Sequence, residues 1–296
     1  MAKLIPLLLL AMTIRSLVAS EPAQFVFERG DSVWIANIDG SKPKKLVKGA
    51  DPRVSPDGTR VAFTQDFEGK EPVNRRIAVF DLATQKTTIF KDVPSNNAYG
   101  PVWSPDGSKI VFYMFGDKDW HVCMTNADGS GFAYLFKTPP EGHAKYSVAW
   151  APDGKSLFCQ DLDTLFRIDL DGKTLLQTPL KEILGDATLN SGSEFAPSPD
   201  GKSLLIDADM DEQEIKGWDG PPAALLLVDI ETKKLTRLSP KKFNAWNPCW
   251  LNDQEILFVG QGEGEKGPSV YRMAIAGGAR KKLLQNGRGP SVARAK

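Results

Sequence analysis

The stretch PVWSPDGSKIVFY, from Pro101 to Tyr113, recurs along the chain in altered form. In each copy an apolar segment leads into a turn of the Ser-Pro-Asp-Gly type, and a second apolar segment follows. Measured from the first residue of each turn, successive copies lie 49, 47, 47 and 53 residues apart. Repetition at such a period indicates a repeat architecture. The reference residues are Ser55, Ser104, Ala151, Ser198 and Leu251.

Each repeat is predicted to contain four antiparallel strands. Ser-Pro-Asp-Gly suits a tight turn, because proline presets its own φ and glycine accepts a positive φ, so the flanking apolar segments form a β-hairpin. A second hairpin follows in the first four units, with the turns LATQK, NADGS, LDGK and IETKK. Four-stranded units of this length are typical of the blades of a β-propeller.

The two ends of the chain complement each other. The segment from Gln24 to Val47 contains only three strand patterns, which match the second, third and fourth strands of a unit. The C-terminal GRGPSVARAK matches GADPRVSPDG, which is the approach to a first strand. The sequence therefore predicts an all-β, six-bladed propeller in a single domain over residues 21–296, in which the N- and C-terminal strands share one blade and close the ring.

One repeat position carries a recurring tryptophan. Trp103, Trp150 and Trp250 all immediately precede the turn. Buried aromatic rings dominate the packing of protein interiors. The repeated tryptophan is therefore predicted to pack between blades rather than to mark a binding surface.

The composition is that of an ordinary soluble globular protein, with 296 residues, 41% hydrophobic and 25% charged. Lysine and arginine number 37, as do aspartate and glutamate; without Lys3 and Arg15 of the first twenty residues, 35 basic residues (37 − 2) face 37 acidic ones. Since there is no basic stripe, nucleic acid is not expected as a partner. The three cysteines are predicted to be small buried hydrophobes, with one bridge between Cys123 and Cys159 left open.

Residues 1–20 are predicted to be an export signal. Lys3 precedes an apolar run, and Val18, Ala19 and Ser20 offer small residues before a cleavage point at Glu21. The run is too short for a transmembrane helix, and no later segment is long enough, so the mature chain is expected to have no membrane span. The expected location is therefore periplasmic or secreted.

The repeats resemble the TolB-type propeller repeat, which is related to WD-type repeats. The resemblance rests on WSPDG at Trp103, WAPDG at Trp150, SPDG at Ser55 and Ser198, and on DG turns such as the one at Asp39. It covers nearly all of residues 24–296 and concerns only the propeller part of that family. It implies an exported, often periplasmic, propeller that contacts other proteins. The same repeat occurs in peptidase-associated propellers and in oligogalacturonate lyase, so other ligands stay open.

The candidate binding residues lie in the loops that lead into the first strand of each unit. In a propeller these loops share one face with the loops between second and third strands, around the central channel. Tyrosine, tryptophan and arginine are the anchor residues of many interfaces, although solvated rim loops would show the same pattern. The candidates are Asn97, Tyr99, His143, Tyr146, Glu194, Asn244, Trp246 and Arg288.

The long acidic loop from Asp207 to Pro222 is a candidate calcium site. Asp207, Asp209 and Asp211 alternate as in a calcium loop, but the glycine and the final glutamate of the EF-hand pattern are missing. No cofactor or metal is otherwise expected. Only two histidines occur, neither a G-x-S-x-G elbow nor a phosphate-binding loop is found, and His121 is predicted to be structural.

Two functions remain open. The first is a non-enzymatic scaffold that binds another protein, in the cell envelope, through its variable loop face. The second is a propeller enzyme, lyase- or hydrolase-like, or a carbohydrate-binding protein that uses the central mouth. A deep polar pocket would favour the second, and a broad rim the first.

Overall fold

The computed structural model describes residues 23–68, 73–135, 145–210 and 222–293. The predicted export signal, His143 and residues 211–221 of the acidic loop lie outside these ranges. The described residues form 24 strands and one short helix, α1 (Leu180–Leu184). The strands are β1 Gln24–Arg29, β2 Ser32–Asn37, β3 Lys44–Lys48, β4 Ala50–Val54, β5 Arg60–Asp66, β6 Arg75–Asp81, β7 Thr87–Ile89, β8 Ala98–Trp103, β9 Lys109–Gly116, β10 Asp119–Asn126, β11 Ala133–Tyr134, β12 Tyr146–Trp150, β13 Ser156–Gln160, β14 Thr164–Asp169, β15 Thr174–Pro179, β16 Phe195–Pro197, β17 Ser203–Asp209, β18 Ala223–Asp229, β19 Leu235–Arg237, β20 Phe243–Trp250, β21 Glu255–Gly262, β22 Ser269–Ala274, β23 Lys281–Gln285 and β24 Arg288–Val292.

The strands form six four-stranded antiparallel sheets. We number the blades from the N-terminus: blade 1 is β24-β1-β2-β3, blade 2 is β4–β7, blade 3 is β8–β11, blade 4 is β12–β15, blade 5 is β16–β19 and blade 6 is β20–β23. The innermost strands contact one another in this order, and β24 contacts both β20 and β4. The six-bladed propeller and its composite closing blade are therefore confirmed.

The repeated turns are fixed by their own side chains. In blade 2, the Ser55 hydroxyl donates to Asp57, which also accepts the backbone N–H of Thr59 at 3.0 Å. The Arg60 N–H then donates to Ser55 Oγ at 2.9 Å, and Gly58 has a φ of 73°, a conformation in which a Cβ would be strained. The same bonds recur at Ser104 and Ser198, which explains why this tetrapeptide repeats.

The repeated tryptophans join neighbouring blades, as the sequence predicts. Trp103 Nε1 donates to the carbonyl of Arg53, at 2.9 Å, in the preceding blade. Trp150 Nε1 donates to Val102 O at 3.3 Å, and Trp250 Nε1 donates to Ala196 O at 2.8 Å. Each ring therefore combines apolar packing with one hydrogen bond that fixes the distance between blades.

All three cysteines are free thiols, so the bridge left open from the sequence does not form. Burial raises the pKa of each thiol to about 12, which makes them poor nucleophiles. Their role is packing, as predicted. In the described part of the chain, no helix has the length and hydropathy needed to cross a bilayer.

Candidate functional site

The channel mouth is built at a β-bulge in the first strand of five of the six blades. The pairing of first with second strands shifts register in blades 2, 3, 4 and 6, and a matching shift separates β1 from β24. One residue at each β-bulge has a positive φ: 50° at Asp51, 66° at Gly100, 56° at Ser147, 48° at Asn247 and 51° at Gly289. Glu194 holds the equivalent place in blade 5, without a positive φ. These six residues are called the bulge row below.

Polar side chains on second strands fasten the bulge row of the next blade. Thr64 Oγ1 accepts the Gly100 N–H at 3.1 Å and donates to Asp51 Oδ2 at 2.9 Å. Glu28 Oε2 accepts the Asp51 N–H at 3.2 Å, and Tyr113 Oη accepts the Val148 N–H at 2.8 Å. These blade-to-blade bonds hold the mouth in one shape, because a bulge leaves backbone groups without partners in its own sheet.

Asp207 performs the same task between blades 5 and 6. Asp207 is 6% exposed, and its carboxyl group accepts hydrogen bonds from the backbone N–H groups of Glu194 and Asn247. Burial raises the pKa of Asp207 well above its ordinary value, the negative charge of Glu194 adds to the rise, and the two backbone N–H groups oppose it. A buried carboxyl with a shifted pKa is often catalytic, but here its hydrogen bonds are those of a connection between blades.

The raised pKa makes the stability of this connection depend on pH. The folded protein keeps the Asp207 proton at pH values where the unfolded chain has lost it, so this group's contribution to the free energy of unfolding falls as pH rises above about 4. We expect Asp207→Asn, which cannot ionise, to lack this fall. Between pH 4 and 7 the wild type should therefore lose stability relative to the variant in urea unfolding.

Asp106, in the turn of blade 3, provides a control with the opposite sign. Its pKa is lowered, first by the Ser104 hydroxyl and then by the N–H and hydroxyl of Ser108. Its contribution to stability is therefore present above the pKa of the unfolded chain and lost as pH falls. Relative to Asp106→Asn, the wild type should gain stability as pH rises. Slopes of the same sign for the two variants would contradict this assignment.

An ion pair crosses the channel and ends on Glu194 of the bulge row. Arg53 belongs to blade 2 and Glu194 to blade 5, which are opposite in a ring of six, yet Arg53 Nη2 lies 2.9 Å from Glu194 Oε1. The side chains are 24% and 32% exposed. Burial alone would lower the pKa of Arg53, but Glu194 and then Asp51 raise it above its ordinary value. At the positions that are equivalent to Arg53, the other blades carry only uncharged side chains, namely Val102, Ala149, Ala196, Cys249 and Ser291.

The channel forms a cavity of about 1270 Å³ that is lined by the first strands of all six blades. Its mouth end is polar, with Asp51, Glu194 and the serines at 147, 191 and 193. The opposite end is lined by Pro56, Pro105, Pro152 and Pro199 of the turns. Arg53 lies between the two ends and reaches Glu194 at the mouth end, so any molecule that entered from the mouth would meet this ion pair.

The structure brings together only some of the candidate residues. Tyr99 and Glu194 line the cavity. Asn97 accepts the Nε–H of Arg75 at 2.7 Å, and buried Asn244 accepts the Ala223 N–H at 2.8 Å, so both link neighbouring blades. Tyr146 and Trp246 are half-buried at the rim, and Arg288 is exposed there. The predicted loop position was wrong for these three, and for Tyr99 and Asn244, because the first strands begin earlier than expected and include them. Their roles in binding stay predictions, as does that of His143.

The metal prediction concerns blade 5, and the histidine prediction concerns strand β10 of blade 3. His121 Nε2 lies 2.9 Å from the Gly116 carbonyl and packs edge-on against Tyr134, which agrees with a structural role. Asp209 Oδ2 accepts a hydrogen bond from Asn190. Within residues 23–68, 73–135, 145–210 and 222–293, no three His, Cys, Asp or Glu side chains form a metal-binding group. Because Asp211 lies outside these residue ranges, the calcium site stays a prediction.

Sequence reasoning missed Arg53 and the polar residues that fasten the blades, and it named Asp207 only as a possible calcium ligand. The signal for Arg53 was available, since alignment of the repeats places one cation in a row that is otherwise uncharged. The signal for the bulge row was the succession of Asp, Gly, Ser, Asn and Gly at one repeat position, because these residue types accept a positive φ more readily than others.

Comparisons with known proteins agree on the fold and leave the activity open. No protein-family model matches the chain. A segment of 114 residues is 27% identical to YuxL of Bacillus subtilis (strain 168), an uncharacterized peptidase, and this match covers 38% of the chain and 17% of that protein. The chain thus matches only a small part of that curated relative's length.

Solved propellers are similar over almost the whole chain. TolB from Acinetobacter baumannii gives a TM-score of 0.68 at 18% identity, over 93% of this chain and 67% of that one. A putative TolB from Agrobacterium tumefaciens gives 0.62 at 16%, over 91% of both chains. Oligogalacturonate lyase from Vibrio parahaemolyticus gives 0.57 at 15%, over 84% and 74%. At these identities the similarity concerns the fold alone, and the chain has the fold of a TolB-like six-bladed propeller.

Proposed function

We propose that this protein is an exported scaffold that binds another protein of the cell envelope through its mouth face and does not act as an enzyme. The mouth face is the side of the ring that carries the loops leading into first strands and those between second and third strands. Export is part of the proposal because of the apolar segment in residues 1–20. N-terminal sequencing of the protein isolated from its host would test it, and a start at Glu21 is expected.

One observation carries the proposal. At the position directly before the bulge row, the six blades carry five different residue types on a backbone that otherwise repeats. A rigid frame with variable loops is how many binding surfaces are built, and Tyr, Trp and Arg are enriched among residues that dominate binding energy. The residues at this position are Ala50, Tyr99, Tyr146, Ser193, Trp246 and Arg288.

The charged groups of the mouth also favour binding over catalysis. The carboxyls of Glu28 and Asp207 have raised pKa values, in both cases mainly through burial, but each accepts a backbone N–H from the next blade. Arg53 and Glu194 neutralise each other across the channel. Partners within the protein therefore account for the positions of these four groups, and no substrate is needed to explain them.

Affinity capture from the host's envelope fraction tests the proposal. The bait is the wild type, and the test variant is Tyr99→Ala, Tyr146→Ala, Trp246→Ala, with folding checked by circular dichroism. A second triple variant, Thr88→Ala, Leu175→Ala, Lys281→Ala, changes exposed residues on outer strands of three blades as a control. We expect a partner that the wild type and the control retain and the test variant loses at least tenfold. Equal recovery by all three would contradict the proposal.

The size of the channel supports a second candidate, the binding of a carbohydrate at its mouth. Ligand cavities of about 300–1,000 Å³ are usual, and this one has about 1270 Å³ with hydroxyl and charged groups at its mouth. A ligand that binds the native state must raise the unfolding temperature. A thermal-shift screen with millimolar neutral and uronic-acid oligosaccharides should show a rise that Arg53→Ala abolishes if this candidate is right. An unchanged unfolding temperature would exclude it for those sugars.

A further inference from the structure

An aromatic surface runs outward from the channel on blade 3. The Tyr99 and Tyr113 rings stack with centroids 5.3 Å apart. Trp120 meets Tyr99 edge-on at 5.3 Å, and Phe115 meets Trp120 at 5.2 Å. Phe115 and Trp120 are direct partners across the β9–β10 hairpin. We call these four rings, with Arg75 of blade 2, the aromatic shelf.

The shelf is rigid and continuous with the channel mouth. Tyr99 and Tyr113 line the cavity, whereas the Phe115 residue is 40% exposed at the outer end. Each ring is held by contact with another, so little side-chain freedom remains to be lost when a partner binds. Preorganised aromatic groups next to an arginine are the usual composition of an interface hot spot.

Arg75 gives the inner end of the shelf a positive charge. Its guanidinium carbon lies 4.0 Å from the Tyr99 centroid and 5.8 Å from that of Trp120. Its Nε donates to Asn97 Oδ1 at 2.7 Å, and among the described residues no carboxylate lies within 4.0 Å of its nitrogens. Asp119, at the outer hairpin, binds the Trp120 N–H instead. Within the described part of the chain, the Nη groups of Arg75 therefore have no carboxylate partner and can bind an anion.

The ring contacts favour a peptide over a sugar. Sugars stack on open ring faces, but a guanidinium 4.0 Å over Tyr99 and a stacked Tyr113 cannot share one face, so together they cover both. What the shelf offers is ring edges, the exposed Phe115 and a guanidinium fork that matches a carboxylate. These are contacts for an apolar side chain next to an acidic one.

We infer that the aromatic shelf binds an acidic segment of a partner protein, with a carboxylate on Arg75 and an adjacent apolar side chain against Phe115 and Trp120. The inference rests on the proposed function and names the chemistry of the partner. Such a pairing should be sensitive to salt, because Arg75 is only half-buried.

The test uses a phage-displayed library of random dodecapeptides, selected in parallel on the purified wild type and on Arg75→Glu. We expect the wild type to enrich peptides that carry Asp or Glu beside an apolar residue, and Arg75→Glu to enrich basic peptides instead. Arg76→Glu is the matched control, since adjacent residues of a strand face opposite sides of the sheet. It makes the same change in charge and should select the same peptides as the wild type.

Affinities of one selected peptide complete the test. Arg75→Gln and Trp120→Ala should each weaken its binding tenfold or more, while Arg75→Lys, which keeps the charge, should weaken it less. Equal binding to the wild type and Arg75→Gln, no enrichment, or competition by a uronic-acid oligosaccharide would each overturn the inference. If the captured envelope protein binds Arg75→Glu as well as it binds the wild type, the inference about the aromatic shelf is refuted but the proposed function is not. If no protein is captured, the proposed function itself fails.

Discussion

Removal of residues 287–296 is expected to lower the unfolding temperature by more than 10 °C. This truncation removes β24, which pairs with β1 at Phe25, Val26 and Glu28 and contacts blades 2 and 6. Val292 lies in a core cluster with Phe25 and Phe27. The truncated chain would expose these rings and an open sheet edge, at a cost of about 5 kcal/mol or more. That is a large part of the stability of a domain.

The control for this truncation is a shorter one that removes only residues 294–296. It leaves β24 complete, so its unfolding temperature should stay within about 2 °C of the wild type. Thermal unfolding followed by circular dichroism measures both. Equal unfolding temperatures for the two truncated chains would show that β24 does not close the ring.

The second large effect is expected at the mouth, where Thr64→Val should destabilise the protein by about 2–3 kcal/mol. Valine has nearly the same shape as threonine, so the packing of this residue, which is 2% exposed, changes little. The lost hydroxyl leaves the Gly100 N–H and the Asp51 carboxylate without this partner. Urea unfolding gives the difference directly, because the midpoint should fall without a change in slope.

Thr125→Val is the matched control for Thr64→Val. Thr125 is 1% exposed, and its Oγ1 has no hydrogen-bond partner among the described residues. Replacement of an unpaired buried hydroxyl by a methyl group should be neutral or stabilise by about 1 kcal/mol. The same substitution at equal burial is thus expected to have opposite effects. A loss of similar size at both positions would mean that packing, rather than the bond to the next blade, governs Thr64.

The fold was predictable because its repeating information is local. The turns at Ser55, Ser104 and Ser198 contain their own hydrogen bonds, so a short stretch of sequence specifies each hairpin. The composite blade followed from a count of strands at both ends. The helix α1 was not predicted, because five residues are too few for a periodic pattern; it forms since Leu180, Ile183 and Leu184 are buried against the core.

The site was predictable only in part, because its contacts join residues distant in sequence. Tyr99 could be placed at the mouth from its distance ahead of the turn of blade 3, although it lies within β8 and not in the loop before it. The pairing of Arg53 with Glu194 spans 141 residues and depends on the number of blades, which decides what lies opposite. The bond from Asp207 to Asn247 likewise depends on the next blade. Repeats thus predict the frame, whereas contacts across the ring require the closed structure.

Photo-crosslinking in the native host tests most directly whether the mouth face binds a protein. Benzoylphenylalanine would replace Phe115 or Tyr146 on the mouth face, or Leu175 on the outer strand β15. Phe115 and Leu175 are 40% and 51% exposed, so the probes are comparably accessible. The proposed function predicts one defined protein adduct from both mouth positions and none from Leu175. An absence of adducts at the mouth, or the same adducts from Leu175, would contradict it.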